Sequence, residues 1–281
     1  MRKVLCSLAA LCCAAALGSS ARAQVFTFST GTVNNLIGTA SRPGSAGNIE
    51  IESADDFITT APITLISGGS FTGIIPTTTT ISSVTVEIYR VFPKDSGPFD
   101  GMVPTRNNSP SDVEFDDRTS TAGNLTFTTK QLSANFATLN SVLNGINKSP
   151  NQTTGGEGPV RGQEVEFDLN FTTPFALGAD HYFFIPQVQL SNGDFFWLSA
   201  SRPIDGTGTP FAPDLQSWIR NANLDPDWLR VGTDIVGGAT PPTFNAAFSL
   251  SGQAVPEPGA VAMFGAMFVG GAAFMMKRRK K

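Results

Sequence analysis

The chain has 281 residues, with 19 Lys and Arg against 23 Asp and Glu and only three cysteines. All three (Cys6, Cys12, Cys13) fall within the first 23 residues, so the rest of the chain has no disulfide, thiolate metal ligand or cysteine nucleophile. Eight of the 19 cations lie in the first 23 and last five residues, leaving 11 against 22 acids over 24–254, a net of −11. That balance disfavours nucleic acid and anionic polymers as partners and leaves cations and neutral glycans open.

In chain order, Arg2 and Lys3 precede an apolar run over 4–17, and Ala21 and Ala23 offer small residues at the positions a signal peptidase reads. Residues 1–23 therefore read as a signal peptide, cleaved before Gln24. Leu11 stands before Cys12 where a lipoprotein signal needs a small residue, so lipidation is rejected. From there alternation dominates. Residues 84–92 read as a strand with Val84, Val86 and Ile88 on one face. In 164–169, Val165, Phe167 and Leu169 face one way and Glu164, Glu166 and Asp168 the other, as in a half-buried antiparallel strand. Residues 181–190, 193–201 and 244–250 continue the pattern, with 26–28 and 125–127 as shorter cases. The Asn192-Gly193 pair predicts a hairpin over 181–201.

One helix is expected over 135–146, where Phe136, Leu139, Val142, Leu143 and Ile146 recur at helical spacing and Asn135 can cap the start. A strand is expected over 215–220 and a turn around 225–228. Pro- and Gly-rich stretches over 93–111, 147–163 and 201–214 read as long loops. Residues 24–254 thus form one extracytoplasmic all-β domain, a two-sheet β-sandwich, jelly-roll-like, with one short helix.

The C-terminus carries the strongest motif. Val255, Pro256, Glu257 and Pro258 stand before 18 uncharged residues over 259–276, close to the length of a membrane-spanning helix, and five cations follow over 277–281. Such a cluster is retained on the cytoplasmic side, and the two prolines set an extended break above the span. Pro-Glu-Pro, span and basic cluster in that order resemble the PEP-CTERM sorting signal of Gram-negative bacteria that export surface polysaccharide. The resemblance covers 255–281. It implies recognition by an exosortase, an inner-membrane-anchored intermediate, delivery to the cell surface or extracellular matrix, and association with exopolysaccharide. Nothing in it describes residues 24–254.

Catalytic chemistry has little to work with. His181 is the sole histidine, Asp180 beside it points to the opposite strand face, and no Gly-x-Ser-x-Gly occurs. A structural or surface histidine is the adopted reading. Acids are many, yet no spacing selects the pair that glycoside hydrolysis needs. Asp112, Glu114 and Asp116 would share one strand face, either as three oxygen ligands for calcium or as a solvated polar face. The glycine-turned calcium loop is absent, so the polar face is adopted and no metal or cofactor is expected; Asp55 and Asp56 carry the same two readings. Trp197, Trp218 and Trp228 are either core residues or, if exposed, a platform for sugar rings. Two function classes follow. The first is an exported, non-enzymatic envelope or matrix protein, structural, adhesive or glycan-associated. The second is a carbohydrate-active enzyme, hydrolase or lyase, with the same tail.

Overall fold

The computed structural model of the chain describes residues 23–45, 47–92, 109–147, 153–204 and 214–255. Among them the strands run in chain order as β1 (Gln24–Ser29), β2 (Val33–Ala40), β3 (Ile51–Thr59), β4 (Ile63–Ile75) and β5 (Ile81–Phe92). Next come β6 (Ser109–Pro110), β7 (Asp116–Thr119), β8 (Leu125–Ala137), β9 (Asn140–Val142) and β10 (Arg161–Leu177). The last are β11 (Asp180–Leu190), β12 (Phe196–Ala200), β13 (Trp218–Asn221), β14 (Leu229–Arg230) and β15 (Phe248–Val255).

Two sheets pack face to face. The first is organised on β4, which pairs β10 along one edge and, along the other, β15 up to Phe71 and then β12 from Gly73. β1 continues beyond β15, β2 and β9 beyond β12, and β8 beyond β10; β2–β9 is the sole parallel pair among the described strands. The second sheet runs β14-β13-β3-β11-β5-β6, with β7 also on β5, all antiparallel. Alternation places the apolar half of each strand between the sheets. Phe167, Phe71 and Phe248 are directly opposed across β10, β4 and β15. Phe71 stacks on Phe167 at 4.6 Å, and Phe248 stacks at 5.0 Å on Phe184 of the facing sheet. Thr30 fills the fork beside β15: its hydroxyl donates to Ala246 O at 2.7 Å and accepts from Phe248 N at 2.9 Å.

The all-β, two-sheet expectation agrees with this arrangement, as do the strands at 84–92 and 164–169, with Val165, Phe167 and Leu169 in the core. Three local expectations are corrected. Residues 135–146 are not a helix. Phe136 pairs with Gly162 inside β8–β10, and Asn135 accepts from Arg161 Nη1 at 3.2 Å instead of capping. Long-range ladder bonds outweigh the local periodicity there, since intrinsic helix preference amounts to only tenths of a kcal/mol per residue. The short helix of the fold is a π-helical turn at Val231–Val236.

Residues 181–201 are likewise not a hairpin. Both edges of β11 are taken by β3 and β5 in the second sheet, while β12 sits between β2 and β4 in the first. The Asn192-Gly193 turn, with Gly193 at φ 69°, carries the chain from one sheet to the other, and an Arg42–Asp194 ion pair anchors the crossing. Finally, 109–110 belong to β6 and 161–163 to β10 rather than to loops. The remaining loop expectations, over 93–108, 148–152 and 205–213, lie outside the described residues.

Candidate functional site

The outer face of the second sheet carries a cluster of interacting ionisable groups. Trp218 and Arg220 on β13 stand opposite Ala54 and Glu52 on β3, and Gln187 on β11 lies opposite Thr85 on β5. Alternation on each strand puts Glu52, Glu87, Tyr89, Gln187 and Arg220 on this face, away from the inter-sheet core. The buried Arg220 guanidinium grips the buried Glu52 carboxylate with two groups: Nε donates to Oε2, and Nη2 to Oε1 at 3.1 Å. Nη2 also donates to Tyr89 Oη at 2.8 Å, and Tyr89 Oη in turn donates to Glu52 Oε1 at 3.2 Å. Arg220 Nη1 reaches Asp225 at 2.9 Å, and its Cζ lies 4.3 Å above the Trp228 ring.

Burial pulls the Arg220 guanidinium down, but the hydrogen bonds and charge of Glu52 outweigh it and hold it above its ordinary value. Glu87, Glu114 and Glu50 form no ion pair among the described residues. Burial first, then the charge of Glu52, pushes Glu87 up to about 10, and Glu87 shares a hydrogen bond with Glu52. Burial, followed by Asp117, pushes Glu114 up to about 7, and Glu50 is raised chiefly by burial. Gln187 Nε2 donates to Glu50 at 3.0 Å. The Gln187 Oε1 and the indole N–H groups of Trp218 and Trp228 are buried without a hydrogen-bond partner among the described residues. The face is therefore a proton-holding carboxyl cluster built around one guanidinium. Glu52 and Glu87 lie close enough to hydrogen-bond, whereas the pair of a glycoside hydrolase stands about 5 to 9.5 Å apart around the sugar.

The predicted site residues fall elsewhere. His181 is buried, and its Nε2 meets Asp56 Oδ2 at 2.5 Å; Asp180 instead accepts the His181 backbone N–H at 2.8 Å. Asp56 also accepts Leu215 N–H at 2.8 Å, so the pair ties β11, β3 and the segment before β13 together away from solvent. Asp55 and Asp56 are not a solvated face: both are buried, on opposite sides of β3, and Asp55 accepts Ala246 N–H at 2.6 Å. Burial raises both carboxyls, more than offsetting the hydrogen bond from His181 to Asp56.

Asp112, Glu114 and Asp116 do not share a strand face, because strand β7 begins only at Asp116. Asp116 accepts from Arg118 Nη1 and Nη2 at 2.7 and 3.0 Å, and that guanidinium lies 4.2 Å over Phe175. Among the described residues no three His, Cys, Asp or Glu have metal-holding geometry. Trp197, Trp218 and Trp228 are all buried, which removes them as sugar platforms. Gln24 opens β1 and Val255 closes β15; Ala21, Pro256, Glu257, Pro258 and the apolar run 259–276 lie outside the described residues.

Sequence reading missed Glu52, Glu87 and Arg220. Glu87 read as one polar position in an alternating strand, and Arg220 is 168 residues from its partner Glu52. No local spacing encodes their meeting. Compared with protein-family models, curated proteins and solved structures, the chain has no significant match to any of them.

Proposed function

We propose that the chain is an exported, non-enzymatic protein of the cell envelope or extracellular matrix. In this reading a jelly-roll-like domain over 24–254 is sorted through a PEP-CTERM tail and acts as a structural, adhesive or glycan-associated module. A coincidence of boundaries carries the reading. β1 begins at Gln24, the first residue after the expected signal-peptidase site, and β15 reaches Val255, the first residue of the expected sorting motif and the last described residue. The two strands pair, with Gln24 opposite Ala254, so the two expected boundaries would lie side by side along one sheet. Cutting the chain at both places would leave every described strand in the domain. The partners are a signal peptidase and an exosortase, with 259–276 and the cations of 277–281 holding the intermediate in the inner membrane before processing. The non-enzymatic part is supported by the carboxyl cluster, where Glu52 is ion-paired with Arg220, accepts from Tyr89 and is close enough to Glu87 to hydrogen-bond, with no cleft between them.

The test is replacement of Pro256, Glu257 and Pro258 by alanine, followed by fractionation of the cells. The span and basic cluster still stop transfer, so the variant is expected in the inner membrane while the unaltered chain reaches the surface or the medium. Unchanged surface delivery would reduce the tail to a plain anchor and end this reading.

A further inference from the structure

A cleft of about 450 Å³ opens on the outer face of the first sheet, at the fork where β4 exchanges β15 for β12. Its volume lies in the range of small-ligand sites. Ser29 of β1, Thr32 of the β1–β2 connection, Ser70 and Thr72 of β4, and Ser249 of β15 present five hydroxyls to it. Glu164 and Glu166 come from β10, turned outward because Val165 and Phe167 between and beyond them are in the core. Val33 and Leu132 add apolar surface, and no Lys or Arg lines the cleft.

The polar groups here are only partly used within the protein. Ser70 and Ser249 share a hydrogen bond at 2.8 Å, and Ser29 Oγ accepts Gly31 N–H at 3.1 Å. The half-buried carboxylates of Glu164 and Glu166 have no hydrogen-bond or ion-pair partner among the described residues. Burial raises the Glu164 carboxyl, as expected of a carboxylate that has lost water without gaining a donor. The occupant must therefore bring donors to the carboxylates, and groups that both donate and accept to the serine and threonine hydroxyls. It must also bring C–H surface to Val33 and Leu132. Two carboxylates against the single cation near them, Lys130 opposite Glu166 on β8, make an anion a poor occupant, and a simple cation would leave the hydroxyl donors unused.

We propose that this cleft binds a neutral, hydroxyl-rich glycan, with sugar hydroxyls donating to Glu164 and Glu166 and the Ser and Thr hydroxyls completing the contacts. This rests on the glycan-association part of the function proposed above. The test is calorimetric titration of the full chain, in a detergent without a sugar headgroup, with maltohexaose, cellohexaose and laminarihexaose, and with spermidine as a cationic comparator. At least one hexasaccharide is expected to bind. The double variant Glu164→Ala, Glu166→Ala should weaken it about tenfold or more, the scale of losing a hydrogen bond to a charged group. Ser70→Trp, which fills the cleft, should abolish it, with melting curves checking that both variants fold. The double variant alters outward-facing side chains only and so keeps the test decisive if Ser70→Trp fails to fold. Hexasaccharide binding that survives these changes would overturn the cleft assignment while leaving glycan association in place. Absence of binding to all three by the unaltered chain would overturn both. Spermidine binding that the variants abolish would replace the neutral ligand with a cationic one.

Discussion

Replacing Glu87 by glutamine should stabilise the protein, and increasingly so as pH rises. The Glu87 carboxyl is shifted from an ordinary value of 4.5 to about 10, so the folded chain keeps a proton there that the unfolded chain releases above pH 4.5. Folded stability from this group is therefore greatest below pH 4.5 and declines continuously as pH climbs towards 10. Each unit corresponds to about 1.4 kcal/mol, so the three units between 4.5 and 7.5 set an upper limit of roughly 4 kcal/mol. Residual water at this half-buried side chain and relaxation around it reduce the net effect to about 1–2 kcal/mol. Glutamine is nearly isosteric, cannot ionise, and can still donate to Glu52. The variant should then melt about 2–8 °C higher at pH 7.5, given about 2–4 °C per kcal/mol for a domain of this size. Differential scanning calorimetry of both proteins from pH 4.5 to 9 makes the comparison, with the gap closing at the acidic end. A variant that melts at or below the unaltered chain at pH 8, or a gap that does not widen with pH, would refute the assignment of a retained proton to Glu87.

Arg220→Met leaves the buried Glu52 carboxylate without its guanidinium and should cost about 3–5 kcal/mol. Adding Glu52→Gln should recover much of that loss in chemical denaturation, and a double variant no more stable than the single one would count against the pair. A fragment of 24–255 should melt cooperatively with a strand-dominated circular dichroism spectrum, whereas 24–247 should not fold, because β15 lies between β1 and β4; cooperative melting of the shorter fragment would contradict the topology. EDTA should leave the melting temperature unchanged, since Asp116 is engaged by Arg118 and does not share a strand face with Asp112 and Glu114. A drop of many degrees would instead reveal a structural cation bound only by the folded state.

Strand identity over 84–92 and 164–169 was legible in the sequence because side-chain alternation is a local, two-residue signal that burial on one face reinforces. The expected signal-peptidase site before Gln24 and the expected sorting motif opening at Val255 are contiguous patterns of the same local kind; the first adjoins the start of β1, and the second opens on the last described residue of β15. Partner choice was not legible. Whether 135–146 coils or pairs depends on β10 lying alongside, and whether 181–201 closes on itself depends on β2, β3, β4 and β5 already occupying the edges of β11 and β12. The same holds for the ionisable groups. Each of Glu52, Glu87 and Arg220 reads as an ordinary polar position, and only sheet register brings them within bonding distance and removes their water. Local periodicity determined strands such as 84–92 and 164–169. Long-range pairing, which no short window of sequence contains, decided their neighbours and therefore which charges are buried together.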